Sequence, residues 1–93
     1  MINNPQRESL IEKKSKLLAE QRGWFQLKIE KCNKRGFPDR MFIKEGRVIF
    51  VEFKNERGRL SEEQKRMIQS LRDDYQAKVW VISSLEEANE VFK

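Results

Sequence analysis

The sequence predicts an α/β fold in which helices flank a mixed four-stranded sheet, with the elements in the order αβββαβα. Three short apolar segments follow one another between residues 24 and 54, which favours an antiparallel meander. An amphipathic segment over 61–74 then leads to a fourth apolar segment, and a crossover of this length makes the last two strands parallel. With 93 residues, the chain is expected to form one domain, 1–93.

The first helix is expected to begin at Asn4, a capping residue followed by the proline favoured at the first helical position. It is expected to end near Arg22, because Gly23 follows. Most of its surface is charged, so only a narrow stripe is suited to packing. The apolar residues of that stripe are Leu10, Ile11, Leu17 and Leu18.

Four segments have the pattern of strands. The first alternates between apolar and polar residues, whereas the continuous apolar run 48–51 indicates that the third is a central strand covered on both faces. Glu45 and Gly46 suit a two-residue hairpin turn between the second and third strands, with the glycine supplying the positive φ. The predicted strands are 24–29, 41–43, 47–54 and 79–82.

Two further helices follow the meander. Ser61 opens a helix that ends at Asp74, and Gln64 completes the sequence pattern of a capping box. A short last helix begins after Ser84 and runs to Phe92. The stripe that the longer helix turns towards the core consists of Gln64, Met67, Ile68, Leu71 and Tyr75.

The composition limits the chemistry that the chain can perform. It has no histidine and one cysteine, Cys32, which excludes an internal disulfide, zinc sites of His and Cys, and Ser-His-Asp or Cys-His catalysis. The lone cysteine suits an intracellular setting, and neither a signal peptide nor a membrane-spanning run is evident. Charged residues make up 38% and the net charge is +5, which favours an anionic partner, although a merely soluble basic protein has the same balance.

Asp39, Glu52 and Lys54 form the main candidate for a chemical site. Pairing through the predicted hairpin turn places residues whose numbers add to about 91 opposite one another, so Asp39 faces Glu52. In an ideal hairpin their Cβ atoms would lie roughly 4.5–5.5 Å apart. Two such carboxylates repel unless a proton or cation lies between them, and oxygen ligands suit Mg²⁺ or Mn²⁺.

Lys54 is two residues from Glu52 and therefore points to the same face of its strand. Its ammonium group would stabilise the negative charge that develops on a phosphate during hydrolysis. Alternatively, Lys54 would position or deprotonate an attacking water. The simpler interpretation is a surface ion pair between Glu52 and Lys54, with Asp39 capping a turn. The joint pattern, at the point where a central apolar strand becomes polar, favours a phosphodiesterase site.

Three other residues are candidates for the same site. Glu8 and Glu12 are one helical turn apart and share a face, so one of them would add a third carboxylate. The alternative is a solvated face, which the neighbouring lysines favour. Gln64 has the structural role of the capping box, but its place on the stripe that faces the core leaves a site role open.

Basic residues flank the proposed centre in the sequence. They would hold phosphates and make binding sensitive to salt, although charge runs of this kind are often solvated loops. Phe37 would either stack on a base or pack. The residues that we consider candidates for nucleic-acid binding are Lys31, Lys34, Arg35, Arg40, Arg57 and Arg59.

Four motif-like segments follow one another along the chain: Glu8-x-x-Ile11-Glu12, Gly36-x-Pro38-Asp39-Arg40, Val51-Glu52-Phe53-Lys54-Asn55 and Gly58-Arg59-Leu60-Ser61-x-x-Gln64. Together they resemble the VRR-NUC branch of the PD-(D/E)xK nuclease superfamily over nearly the whole chain. The resemblance implies a restriction-endonuclease-like core and DNA cleavage that depends on Mg²⁺ or Mn²⁺.

The same resemblance assigns roles to individual residues. It implies that Asp39, Glu52 and Phe53 bind the metal and that Lys54 is the catalytic lysine. It also implies that Gln64 and an acid of the first helix lie nearby. The family pattern stresses the position of Glu8, whereas the spacing to Gly23 resembles archaeal junction resolvases at Glu12, and both remain open.

Stand-alone domains of this family are typical of phages and are similar in size to dimeric Holliday junction resolvases. The resemblance therefore implies a homodimeric, structure-selective endonuclease that acts on branched DNA inside a bacterial or phage-infected cell, with no membrane partner. Alternatives are a general nicking or end-processing nuclease, a catalytically idle DNA-binding module, and a protein-interaction domain whose basic surface is incidental.

Overall fold

A computed structural model describes residues 5–54 and 57–93, with side chains from Leu10 onwards within those ranges. The element order αβββαβα is confirmed, and the predicted cap Asn4 lies outside the described residues. No helix in the described ranges is long and apolar enough to cross a membrane. The elements are α1 (Pro5–Gln21), β1 (Phe25–Lys28), β2 (Arg40–Lys44), β3 (Arg47–Phe53), α2 (Glu62–Asp74), β4 (Lys78–Ile82) and α3 (Leu85–Val91).

The sheet has the strand order β1-β2-β3-β4, which confirms the predicted mixed topology. β1, β2 and β3 are antiparallel, and the crossover through α2 makes β4 parallel to β3. The predicted hairpin register is also confirmed, since Arg40 pairs with Val51. Glu45 and Gly46 both have positive φ, at 52° and 80°, so the turn places a non-glycine residue in the left-handed region as well.

The core lies on one face of the sheet, beneath α1 and α3. The predicted stripe of α1 is only half right, because Leu10 and Leu17 are each about half exposed whereas Ile11 and Leu18 pack against the core. The stripe on the core side of α1 instead runs through the small residue Ser15. The buried core residues are Ala19, Trp24, Phe42, Ile49, Val51, Phe53, Ile82, Ala88 and Phe92.

The opposite face of the sheet is only partly covered. α2 packs against β4 rather than across the whole face, and Val48 is 41% exposed although it lies on central β3. The expectation that β3 is covered on both faces is therefore wrong for its first half. Side chains alternate along each strand, so six apolar residues share this side of the sheet. We call them the open face: Phe25, Leu27, Met41, Ile43, Val48 and Phe50.

Candidate active site

Asp39 and Glu52 lie at the same end of the β2–β3 hairpin. Asp39 directly precedes β2, and Glu52 is the penultimate residue of β3. The last pair of the ladder joins Arg40 to Val51, so the register extended by one residue places the two acids across from each other. The Asp39 carbonyl accepts a hydrogen bond of 2.8 Å from the Ile29 amide, which ties this segment to the end of β1.

Asp39 is an acid in an unfavourable environment. Burial raises the pKa of its carboxyl group, and the negative charge of Glu12 raises it further. The positive charges of Arg40 and Lys28 and a hydrogen bond from its own backbone oppose these effects without cancelling them. A cation close to Asp39 would therefore stabilise the ionised form of its carboxyl group.

Lys54 lies beside Glu52, as the alternation of side chains predicts. Its Nζ atom is 4.0 Å from Oε2 of Glu52, and their side chains are only 18% and 10% exposed. The Lys54 amide donates a hydrogen bond of 2.9 Å to the carbonyl of Ile82, which continues the β3–β4 pairing past the end of the strand. This contact is not the solvated surface pair of the simpler interpretation, because both side chains are largely buried.

Glu12 reaches this region from α1. Its Oε2 atom accepts a hydrogen bond of 2.7 Å from Nε of Arg40. Nη1 of the same guanidinium donates a bond of 3.0 Å to Oε1 of Gln26 on β1. Arg40 is thus 8% exposed and held by two neighbours, although the sequence suggested it for contact with nucleic acid. The side chain of Glu8 lies outside the described residues.

The loop before Asp39 packs against the start of α2. Gly36 has a φ of 78°, and a Cβ atom there would lie 2.5 Å from the Glu63 carbonyl oxygen. Phe37 packs edge-on against Phe50, with the ring centroids 5.3 Å apart. The capping box predicted for α2 is confirmed, since Oε1 of Gln64 accepts from the Ser61 amide at 2.9 Å. Gln64 therefore has the structural role and also lies in the turn that supports the Asp39 loop.

The basic candidates other than Arg40 lie on loops at the surface. Arg35 is 3.2 Å from Glu63 and remains strongly exposed, so its charge is available to solvent. The other exposed members of the set are Lys31, Lys34, Arg57 and Arg59.

Gln26 is the residue of this region that the sequence did not identify as a candidate. It points towards the core side of the sheet, where it lies opposite buried Phe42. The alternation along β1 assigns Gln26 to the polar side of the strand, whereas the structure exposes Phe25 and Leu27 and turns Gln26 towards the core, so no local signal marked it. Its partner, a buried arginine on the next strand, was not evident without the fold.

The donor set suits a hard divalent cation. Carboxylate oxygens are the ligands that Mg²⁺ and Mn²⁺ prefer, and burial together with the charge of Glu12 raises the pKa of the Asp39 carboxyl group. The Phe53 ring is buried in the core, so only its main-chain carbonyl is suited to ligation. Among the side chains described, no group of three or more acidic, histidine or cysteine residues is close enough to hold a metal.

Comparisons with known proteins identify the family of the chain. The model of the VRR-NUC domain family matches residues 2–84. A solved structure titled "VRR_NUC domain" is 25% identical, has a TM-score of 0.80, and is matched over 91% of this chain and 92% of that chain. No curated protein matches the chain. The fold is that of a nuclease-family domain. The chain belongs to the VRR-NUC family.

Replacing Asp39 with asparagine is expected to stabilise the metal-free protein at neutral pH. The folded pKa of Asp39 lies above its ordinary value of 3.8, so the unfolded chain releases this proton first. The contribution of Asp39 to the free energy of unfolding therefore falls as the pH rises from 3.8 through the folded pKa, and it stays low above that. Thermal melts of both proteins between pH 3 and 7, without divalent metal, measure the difference.

Glu45→Gln is the matched control, because Glu45 is an exposed acid at the other end of the same hairpin. It should change stability little at any pH. A lower melting temperature for Asp39→Asn than for the wild type at pH 7 would contradict the conclusion that the ionised form of Asp39 is disfavoured in the folded protein.

Proposed function

We propose that this VRR-NUC domain is a DNA endonuclease that uses Mg²⁺ or Mn²⁺ and acts on branched DNA such as a four-way junction. The observation that carries the proposal is that Asp39, Glu52 and Lys54 lie at the same end of the sheet. An exposed ion pair would explain Glu52 and Lys54 alone. It would not explain why a second, partly buried acid with a raised pKa lies across the hairpin.

Asp39, Glu52 and the Phe53 carbonyl are the groups that would hold the metal. When bound, a divalent metal supplies a polarised phosphoryl oxygen and a water of lowered pKa. Lys54 places a largely buried ammonium group beside Glu52, where its charge acts through little intervening water. Its role is to stabilise the negative charge that develops on the phosphate during hydrolysis.

Recognition of the substrate backbone is assigned to the exposed basic loops. The chain carries a net charge of +5, and Arg35 lies one residue before the glycine that supports the Asp39 loop. Contacts of this kind with phosphates make the affinity fall with increasing salt and do not read base sequence. They suit a nuclease that selects the shape of the DNA.

We also propose that two copies associate through the open face. Phe25 is 61% exposed and Leu27 and Val48 are each 41% exposed, all on one side of the sheet. A contiguous apolar surface of this kind on a small protein commonly marks an interface. A two-fold dimer would present two active centres to a four-way junction, which has approximate two-fold symmetry itself.

Phe25→Asp is expected to convert the dimer to a monomer, because a two-fold contact buries the new carboxylate twice. Leu85→Asp is the control, since Leu85 is an equally apolar residue, 41% exposed, at the first position of α3, where an acid is well tolerated. Sedimentation equilibrium would give the masses. A wild-type monomer, or a Phe25→Asp variant that remains dimeric, would contradict the interface.

Cleavage of a synthetic four-way junction, beside matched duplex and single strands, tests the function directly. The proteins would be assayed in Mg²⁺, in Mn²⁺ and in EDTA. Paired symmetric cuts in the junction that disappear in EDTA are the expected result. Equal cleavage of every substrate would indicate a general nicking or end-processing nuclease instead.

Binding without any cleavage would indicate a catalytically idle DNA-binding module. Absence of salt-dependent DNA binding would favour a protein-interaction domain.

A further inference from the structure

We propose that Arg72 closes the outer edge of β4, the side that faces away from β3, and thereby prevents this strand from pairing with β4 of a second copy of the chain. β4 is the last strand in the order β1-β2-β3-β4, so no strand of the described residues adjoins its outer edge. An edge of this kind is a ready template for pairing between chains. The inference does not depend on the proposed nuclease activity.

The directions of the carbonyl groups along β4 show which of them lie on the outer edge. The Ile82 carbonyl accepts a hydrogen bond of 2.9 Å from the Lys54 amide, so it points towards β3. Successive residues of a strand present their main-chain groups to alternate sides. The main-chain groups of Val79 and Val81 therefore point away from β3, onto the outer edge.

Arg72 occupies one of the acceptors on this edge. From the last turn of α2, its Nε and Nη2 atoms both donate to the Val79 carbonyl oxygen, at 3.0 and 2.6 Å. Hydrogen bonds from a charged guanidinium are stronger than those between neutral main-chain groups. The amide of an incoming strand would have to displace both bonds to reach Val79.

The remainder of the edge has the properties of a strand that pairs readily. Residues 79–82 are all β-branched or aromatic, which favours strands, and Trp80 is 45% exposed. A groove of about 330 Å³ lies between α2 and this edge, and its apolar residues are Leu60, Ile68 and Val81. Apart from the carbonyl that Arg72 bonds, the edge offers an incoming strand both main-chain groups and apolar surface.

A second copy of the chain is the partner that this edge fits. An antiparallel pair with its two-fold axis at Trp80 places Val79 of one copy opposite Val81 of the other, and their outward groups then exchange two hydrogen bonds. Such pairing would join two four-stranded sheets into one. It requires the Val79 carbonyl of both copies, so Arg72 obstructs it twice.

The alternative interpretation is that Arg72 only ties α2 to β4. However, α2 already packs against β4, and Ile68 and Val79 are each 3% exposed. This packing should hold the helix in place without the guanidinium. The two roles have effects of opposite sign, because loss of a tie loosens β4 whereas loss of a cap lets β4 pair.

Sedimentation equilibrium of Arg72→Met tests the proposal. Methionine keeps an apolar stem of similar length and removes the donors. The variant would be made in the Phe25→Asp protein, so that association through the open face does not contribute. With rising concentration, its mass should at least double relative to Phe25→Asp alone. An unchanged mass in the folded protein would overturn the proposal.

Hydrogen exchange at the edge of β4 gives the sign of the effect. The Val79 and Val81 amides of Arg72→Met should exchange at least about 10-fold more slowly in concentrated than in dilute solution, because amides bonded within a sheet open rarely. Faster exchange than in the parent protein at every concentration would show that Arg72 is only a tie, and would overturn the proposal.

Lys65→Met is the matched control. Lys65 lies on the same helix and borders the same groove, but its Nζ atom is 3.2 Å from Oε2 of Glu62. The substitution removes the same charge and no bond to β4, so the mass should stay that of the parent protein. If Lys65→Met associates as Arg72→Met does, loss of charge is the cause and the proposal fails.

Val81→Pro, added to Arg72→Met, separates strand pairing from unspecific aggregation. Proline removes the outward amide of Val81 and is tolerated on edge strands. The double variant should return to the mass of the parent protein, with circular dichroism showing an intact fold. Continued association of the folded double variant would contradict pairing through β4.

Arg72→Lys guards against misfolding of Arg72→Met. It keeps the charge, but the lysine ammonium cannot reproduce the fixed fork of the guanidinium on the Val79 carbonyl. It should also associate, although at higher concentrations than Arg72→Met. A folded Arg72→Lys protein whose mass never exceeds that of the parent would overturn the proposal as well.

Discussion

Replacement of Lys54 by methionine is expected to lower the rate of DNA cleavage by at least about 100-fold, because a group that stabilises transition-state charge in a dry site has effects of this size. DNA affinity should change little, since Lys54 is 18% exposed and the loops that carry the other basic residues remain. Methionine keeps the length and the apolar stem of the lysine, so the fold should be retained. Single-turnover cleavage of a junction, with binding measured separately, gives both quantities.

Lys78→Met is the control for Lys54→Met. Lys78 is an exposed lysine at the start of β4, so the same substitution removes the same charge from another strand of the sheet. It should leave the cleavage rate within about two-fold of wild type, as expected for a surface charge away from the centre. A Lys54→Met variant that cuts at the wild-type rate would remove the lysine from the mechanism and leave Asp39 and Glu52 to be tested alone.

Gly36→Ala is expected to cost about 3 kcal/mol or more of folding free energy, from left-handed strain of about 1–2 kcal/mol and a main-chain clash. The φ of Gly36 is 78°, and the new Cβ would meet the Glu63 carbonyl oxygen at 2.5 Å and the Gln64 amide nitrogen at 2.9 Å. These atoms belong to the first turn of α2, which the capping box holds in place, so they cannot move as a flexible side chain does. For a domain of this size, the loss should lower the melting temperature by more than about 10 °C.

Gly46→Ala isolates the contribution of the backbone angle. Gly46 has nearly the same φ, 80°, but a Cβ there would meet no atom within 4 Å. It should therefore cost only the left-handed strain of about 1–2 kcal/mol. If the two variants melt at the same temperature, the contact between the Asp39 loop and α2 is not tight, and α2 is not what supports the position of Asp39.

The parts of the site that the sequence predicted are those set by local rules. The Glu45-Gly46 turn fixes the register of one hairpin, and that register alone places Asp39 across from Glu52. Alternation along β3 places Lys54 on the same side as Glu52. The capping box at Ser61 depends on residues that are three positions apart, so it could also be predicted from the sequence.

The residues that were misjudged depend on contacts between distant segments. Leu10 and Leu17 have the right hydrophobicity, but the rotation of α1 on the sheet leaves both about half exposed. Arg40 has the charge of a DNA contact, yet Glu12, 28 residues away, and Gln26 enclose it. Val48 belongs to an apolar run, but α2 covers only the β4 side of that face.

The sequence by itself determined the element order and the mixed sheet, because they follow from the periodicity of each segment and the length of the crossover. It also determined the pairing of two acids with a lysine, because that follows from spacing within one hairpin and one strand. Only the tertiary structure decided that Arg40 is a buried partner of Glu12, that Gly36 contacts α2, and that one side of the sheet is open. Those features depend on how helices and loops pack on the sheet. Packing is the sum of many weak contacts between residues far apart in the chain, so no local pattern specifies it.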